Sequence, residues 1–180
     1  MSIVSPERLP VPIYCQRCGH YLVERYSEDE HRTRFQCESC DFVHYINPRV
    51  VSSIIVEREG RVLLQRRAME PGRGLWTFPG GFLEVGETAE DGALRETKEE
   101  VGLDVTLSGL LGTYTRRQVG IVLIVYRGYS DRGEAIVGDA ESLEVRWFAA
   151  DEIPWEELAF ETTEAALRDW LGATKPRDAG

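Results

Sequence analysis

The sequence has no apolar run near the ~20 residues that a membrane-crossing helix requires. Its opening stretch, Met1 to Pro12, has neither a basic start nor a long apolar core. That reads against a secretory leader and makes the cytoplasm the expected location. Basic residues are in the minority, with 21 Lys and Arg against 31 Asp and Glu and a formal net charge of −10. A binder of duplex nucleic acid shows the opposite balance. Low-complexity tracts are missing, as are internal repeats beyond one pair of cysteine knuckles. Cysteine itself is scarce: four in 180 residues, all between Tyr14 and Tyr45. In a reducing compartment such a group is expected to hold metal rather than form disulfides. What is present is a hydrophobic fraction of 42%, ample for the core of one domain with a small extra module.

Composition divides the chain. The polar, cysteine-bearing stretch Tyr14 to Tyr45 is too short for a core of its own, and Asn47-Pro48 is a turn or linker signal. Strand-like and helix-like stretches then alternate with short connections. Val50 to Glu57 is rich in β-branched residues and predicts a strand, and Glu59-Gly60 turns it into a second strand over Arg61 to Arg67. Pro71 to Gly74 is a loop, and Trp76 to Phe78 a short strand broken by Pro79-Gly80-Gly81. Gly120 to Tyr129 and Ser142 to Phe148 read as strands, with a polar loop from Tyr129 to Asp139 between them. Thr163 to Leu171 predicts a closing amphipathic helix, and Thr174 to Gly180 a loose tail.

The strongest helix signal is Thr88 to Val101, with Thr88 as N-cap, Asp91 three residues on, and Gly102 where the helix should stop. On a helical wheel Leu94, Thr97 and Val101 share a core-facing side with Ala93. Glu96, Glu99 and Glu100 fall together on the neighbouring face, Gly92 lies between them, and Asp91, Arg95 and Lys98 take the far side. Clustered carboxylates repel by roughly 0.2–0.5 kcal/mol per pair, which points to a cation between them. Oxygen-only ligands favour Mg²⁺ or Mn²⁺ over zinc. The wheel also suggests that Gly92 leaves room for a phosphate.

Gly81, Glu87, Arg95-Glu96, Glu99-Glu100 and Gly102-Leu103 match the pattern G-x5-E-x7-R-E-U-x-E-E-x-G-U, where U is apolar. The one departure is Thr97, whose methyl can still face a core. By this match residues 49–171 resemble the Nudix hydrolases. The resemblance implies an α/β (α+β) fold, a Nudix α/β/α sandwich with a mixed sheet. It implies hydrolysis of a pyrophosphate bond, with metal held by Glu96, Glu99, Glu100 and the Gly80 carbonyl. Arg95, Glu87 and Gly81 would then be structural supports. Glu141-Ser142-Leu143-Glu144 is similar to the segment that carries a further glutamate in the zinc-ribbon NADH pyrophosphatases, which makes Glu141 the expected metal ligand or general base and Glu144 the fallback.

Cys15-x2-Cys18 and Cys37-x2-Cys40 have the spacing of a closed, structural four-thiolate zinc site. Residues 1–47 are accordingly expected as a three-stranded zinc ribbon, 48–172 as the hydrolase domain and 173–180 as a tail. The ribbon mixes acidic and basic residues without a basic stripe, so it is expected to stabilise the enzyme or build a dimer rather than bind nucleic acid. A nucleic-acid-binding regulator with an inactive Nudix fold is the rival of a different class.

Among ribbon-bearing members, the NADH and NAD-capped RNA pyrophosphatases carry an S-Q-P-W-P-F-P-x-S-like stretch after the box. Thr113 to Gln118 has none of it. Tyr45-x-Asn47-Pro48, Gly74 to Pro79, Asp151 to Pro154 and Leu158-Ala159-Phe160 are similar to the FAD/ADP-ribose pyrophosphatases. That resemblance implies a nucleotide substrate, FAD or ADP-ribose, cleaved to AMP plus FMN or ribose 5-phosphate. A sanitising enzyme for damaged triphosphates is a further alternative. Expected substrate contacts are Arg66, Arg67 and Arg116 on phosphate, with Trp76 or Phe160 stacked on a ring.

Overall fold

The computed structural model describes residues 11–138 and 140–174. The stretch read for a leader and the tail beyond Thr174 lie outside these residues, apart from Val11 and Pro12. No helix among them is long and apolar enough to cross a membrane.

The cysteine-bearing segment forms a small antiparallel sheet of its own: β1 (Leu22–Ser27), β2 (Arg32–Cys37) and β3 (Val43–His44), in the order β1-β2-β3. Its core is little more than Cys15, Leu22 and Cys37, with Phe35, Cys40 and Phe42 packed beside them. So small a core cannot hold a fold by burial alone. The four sulfurs supply the rest. They lie within 4.8 Å of one another, and the Cys18–Cys37 and Cys15–Cys40 pairs are 3.4 and 3.8 Å apart. Those separations are too long for disulfides and close to the ~3.8 Å edge of a tetrahedron with zinc–sulfur bonds of about 2.3 Å. Backbone N–H groups of Arg17 and Ser39 donate to the Cys15 and Cys37 sulfurs. Each knuckle closes with a left-handed residue, Gly19 (φ 78°) or Asp41 (φ 55°). The residues fit a structural zinc ion.

The large sheet contains β4 (Arg49–Arg58), β5 (Arg61–Arg67), β6 (Trp76–Thr77), β7 (Gly80–Phe82), β8 (Thr106–Arg116), β9 (Ile121–Tyr129) and β10 (Ser142–Ala149). Its main path runs β10-β5-β4-β9-β8, with β6 on β5 and β7 on β4. The sheet is mixed, since β4 and β9 run parallel from Arg49↔Ile121 to Glu57↔Tyr129 while the other pairs are antiparallel. Alternation along β4 separates two cores. Ile54 and Val56 join Ala93, Val101 and Leu103 under α1 (Ala89–Val101). Ile55 faces the other way, with Leu123, Val125, Leu167 and Trp170 under α2 (Glu161–Thr174). The result is an α/β/α sandwich.

Most predicted elements form within a residue or two of their expected bounds, and four differ. β7 begins at Gly80, where a break was expected, because Gly80 and Gly81 pair with Ser53 and Ser52 of β4. β8 escaped notice because irregularities at Leu107/Gly109 and Leu110/Gly112 interrupt its two-residue period. Phe78 lies beyond β6, and α2 extends from Glu161 to Thr174, taking in the first residue read as tail.

Stripping metal from the purified chain should abolish amide protection in β1–β3 while leaving the large sheet protected, as read by hydrogen exchange. Elemental analysis beforehand should find about one zinc per chain; a metal-free chain with a protected ribbon would overturn this account of its stability.

Candidate active site

The site lies where the large sheet splits. β4 and β5 pair only at Glu57↔Val62 and Arg58↔Arg61 beside their turn. Further along they diverge, β7 taking the freed edge of β4 and β6 that of β5. A cavity of about 280 Å³ fills the gap, its lining including Gly80, Gly81, Glu100, Glu141, Arg67, Arg116 and Phe160.

Two glycines let backbone and helix meet there. A Cβ on Gly80 would stand 1.9 Å from the Ser53 hydroxyl, and one on Gly81 2.4 Å from the Glu96 carboxyl carbon. The Glu96 carboxylate therefore lies directly against the strand. Thr88 caps α1 by accepting from the Asp91 N–H (3.1 Å), and the left-handed Gly102 (φ 74°) ends it.

From α1, Glu100 is buried, and its Oε2 accepts the Gly80 N–H at 2.7 Å. Burial pushes the Glu96 acid above its usual range, the Arg95 guanidinium opposes this, and the nearby Glu99 and Glu141 charges add to it. Arg95 does not stay on the far side where the wheel puts it. Its long side chain folds back and holds Glu87 with two nitrogens (2.5 and 3.1 Å), Glu96 (2.8 Å), Glu99 (3.0 Å) and the Phe82 carbonyl (3.3 Å). Part of the positive charge that the clustered carboxylates demand is thus supplied within the chain. Gly92 corrects a second expectation. A Cβ there would meet Leu83 at 2.4 Å and Glu87 at 3.0 Å, so this glycine seats the preceding loop on the helix and leaves no path for phosphate.

Residues 130–138 reach across the end of α1. The Ile136 and Gly138 N–H groups donate to the carbonyls of Val101 (3.1 Å) and Glu100 (2.9 Å), which satisfies two of the helix's terminal acceptors. Gly138 is pressed so close that a Cβ would lie 2.0 Å from the Glu99 carbonyl oxygen. Glu141 lines the cavity, and its carbonyl accepts the Ala68 N–H. Glu144 is directed elsewhere. The register shifts between Ser142 and Glu144, so that Ser142 pairs with Arg67 and Glu144 with Arg66, 3.8 Å from its guanidinium.

The expected substrate contacts divide. Phe160 lies under two guanidinium groups, those of Arg116 (4.4 Å) and Arg67 (5.2 Å). Burial draws the Arg67 pKa down, against the pull of Glu100, Glu141 and Glu70. Trp76 is instead a core residue, only 5% exposed and edge-on to Phe148. Arg66 donates to the Gly74 carbonyl and stacks over Trp76, outside the cavity lining.

Comparison with known proteins supplies the family. Residues 46–171 match the model described as the NUDIX domain, and residues 14–46 the one described as Nudix N-terminal, a zinc ribbon. The chain is a Nudix hydrolase. It is 35% identical over 131 residues to an ADP-ribose pyrophosphatase of Methanocaldococcus jannaschii, covering 71% of this chain and 75% of that one. It is also 29% identical to the NAD-capped RNA hydrolase NudC of Vibrio vulnificus, over 78% of this chain but only 52% of that one. A crystal structure of a NUDIX hydrolase from Nitrosomonas europaea superimposes with a TM-score of 0.84 at 37% identity, covering 89% and 91% of the two chains.

Two features of this Nudix site went unread in the sequence. Gly138 had no periodic pattern around it to mark its contact with α1. Arg49 and Phe82 also line the cavity; Arg49 lies outside the box and Phe82 is one of its unspecified positions, so the pattern singles out neither.

The Glu87 carboxyl is held down from its ordinary 4.5 to about 2, first by Arg95 and then by the Glu84 N–H. A group of this kind stabilises the fold above its unfolded pKa, and the contribution fades as pH falls through the folded one. Glu87→Gln should therefore lower Tm near neutral pH, with a deficit that shrinks between about pH 4.5 and 2; a constant deficit in calorimetry would show that charge plays no part. Gly138→Ala should lift the loop from α1 and reduce kcat on the order of 10- to 100-fold with unchanged far-UV circular dichroism. Unchanged kcat would show that the loop does not position Glu141.

Proposed function

We propose that this Nudix hydrolase cleaves the pyrophosphate of FAD or ADP-ribose, giving AMP plus FMN or ribose 5-phosphate. The observation that carries the reading is the make-up of the cavity: the acids Glu100 and Glu141 share its lining with Arg67 and Arg116, whose guanidinium groups both lie over the Phe160 ring. A pyrophosphate flanked by a planar ring is a ligand that all of these groups can use.

The cation required is Mg²⁺ or Mn²⁺, held by Glu96, Glu99, Glu100, Glu141 and the Gly80 carbonyl. The donors fit it, being all oxygen, and the crowding of Glu96 by Glu99 and Glu141 is the situation a divalent ion relieves. When bound, such an ion neutralises the anhydride and activates a water. Arg67 and Arg116 grip the phosphates, and Phe160 supports the ring. Glu141, brought in by its own loop, takes the proton as water oxygen bonds to phosphorus and the bridging P–O bond breaks. Arg95, Glu87 and Gly81 hold the carboxylates in place. Thiolates free to hold zinc suit a reducing compartment, consistent with a cytoplasmic enzyme.

The NudC likeness supports a second reading, hydrolysis of NADH or of an NAD cap. Against it, Thr113 to Gln118 lacks the motif of that group, and this segment forms the end of β8 and the turn that follows.

Turnover of FAD, ADP-ribose, NADH, diadenosine polyphosphates and nucleoside triphosphates with Mg²⁺ decides the matter through kcat/KM. FAD or ADP-ribose should lead the series, and a clear lead for NADH or a triphosphate would overturn the reading. Glu99→Gln and Glu100→Gln should each lose on the order of 100-fold or more in kcat with the fold intact; full activity in either would refute its role.

A further inference from the structure

Sheet register places a second arginine–aromatic pair across the cavity from Phe160. Arg49 of β4 and Arg116 of β8 both pair with Ile121 of β9, so the three residues form one row on one face of the sheet. Neighbouring strands lie ~4.8 Å apart, which separates the two arginine backbones by about 9.6 Å. All three residues line the cavity. Each arginine then meets an aromatic ring on its own flank. Arg116 lies over Phe160, whereas Arg49 lies over Phe82 at 4.7 Å.

Phe82 is at the end of β7, opposite Val51, so it shares the cavity face of β4. It is 44% exposed although it is a large aromatic residue beside a well-formed core. An exposed ring at a cavity mouth, backed by a cation, presents a flat apolar surface for a planar ligand. On the other flank Phe160 presents another. Glu100, Glu141 and Arg67 line the same cavity, and on the proposed function the pyrophosphate belongs beside them.

We propose that Arg49 and Phe82 form a second ring-binding ledge, and that the enzyme's substrate class is the dinucleotides, with a planar ring at each end of the pyrophosphate. This rests on the reading of the cavity as a pyrophosphatase site. It selects FAD over ADP-ribose, which has a ring at one end only.

The test uses Phe82→Leu and Phe160→Leu, which keep apolar bulk but remove the ring, and Phe82→Tyr, which keeps it. Wild-type kcat/KM should be higher for FAD than for ADP-ribose. Either leucine variant should lower kcat/KM for FAD about tenfold, mainly through KM, which is within the range for one base–aromatic stack. ADP-ribose should suffer from only one of the two, whichever ledge holds its adenine, and Phe82→Tyr should restore FAD turnover. Any other pattern overturns the proposal, including FAD turnover untouched by Phe82→Leu or equal losses on both substrates. If the wild type hydrolyses neither compound, the pyrophosphatase reading fails separately. The same comparison is then made by calorimetric binding of FAD and ADP-ribose to the intact chain, where an identical pattern supports the ledge and its absence removes it.

Discussion

Three carboxylates beside this site, those of Glu87, Glu96 and Glu99, are gathered around one guanidinium. Arg95 reaches from α1 to Glu87 and to the Phe82 carbonyl, and in passing it joins Glu96 and Glu99. It thereby ties the helix, the loop before it and the strand β7 at a single point. Acidic side chains on adjacent turns would otherwise push apart. Charge-assisted hydrogen bonds to a planar, permanently charged group fix their orientation as well as their proximity. The glycines are subordinate to this arrangement: Gly81 lets Glu96 come down on the strand, and Gly92 lets the loop bearing Glu87 come down on the helix.

Much of this could be read in the sequence, and the limits have physical causes. Helix α1, its cap and its stop are local events, set by Thr88, Gly102 and a three-to-four-residue period. The box residues follow from that helix, and the four cysteines from their own spacing. A wheel, however, records where Cβ leaves the helix and not where a long side chain ends. That is why Arg95 was assigned to the solvent face and Gly92 to the open one. Arg66, Arg67 and Trp76 show the same limit in a strand. Adjacent residues of one sequence motif point to opposite faces, so Arg67 and Phe160 reach the cavity while Arg66 stacks on the buried Trp76. The irregular β8 and the close approach of Gly138 to Glu99 are products of long-range pairing, which no short window contains.

The split between β4 and β5 explains how residues from both faces of the sheet share one cavity. In a continuous sheet, Glu100 under α1 and Val51 under α2 would be separated by a layer of backbone. Here β7 and β6 take over the two edges, and the turn Phe78-Pro79-Gly80 crosses between them. The opening lets Glu100 from one layer and Arg116 and Val51 from the other line one cavity.

The extra residue at Leu143 has a consequence for comparing members of the family. Face identity along a strand is a matter of odd and even, and the irregularity between Ser142 and Glu144 inverts that parity at the end of β10 nearest the cavity. Counting back in twos from Val145 therefore puts Ser142 on the wrong face, since Val145 pairs with Gln65 and Ser142 with Arg67. A homologue that lacks the inserted residue would bring its acid to the same place from a shifted column of an alignment. Spatial equivalence on this edge must be judged from backbone pairing, because matching letters alone would equate residues on opposite faces.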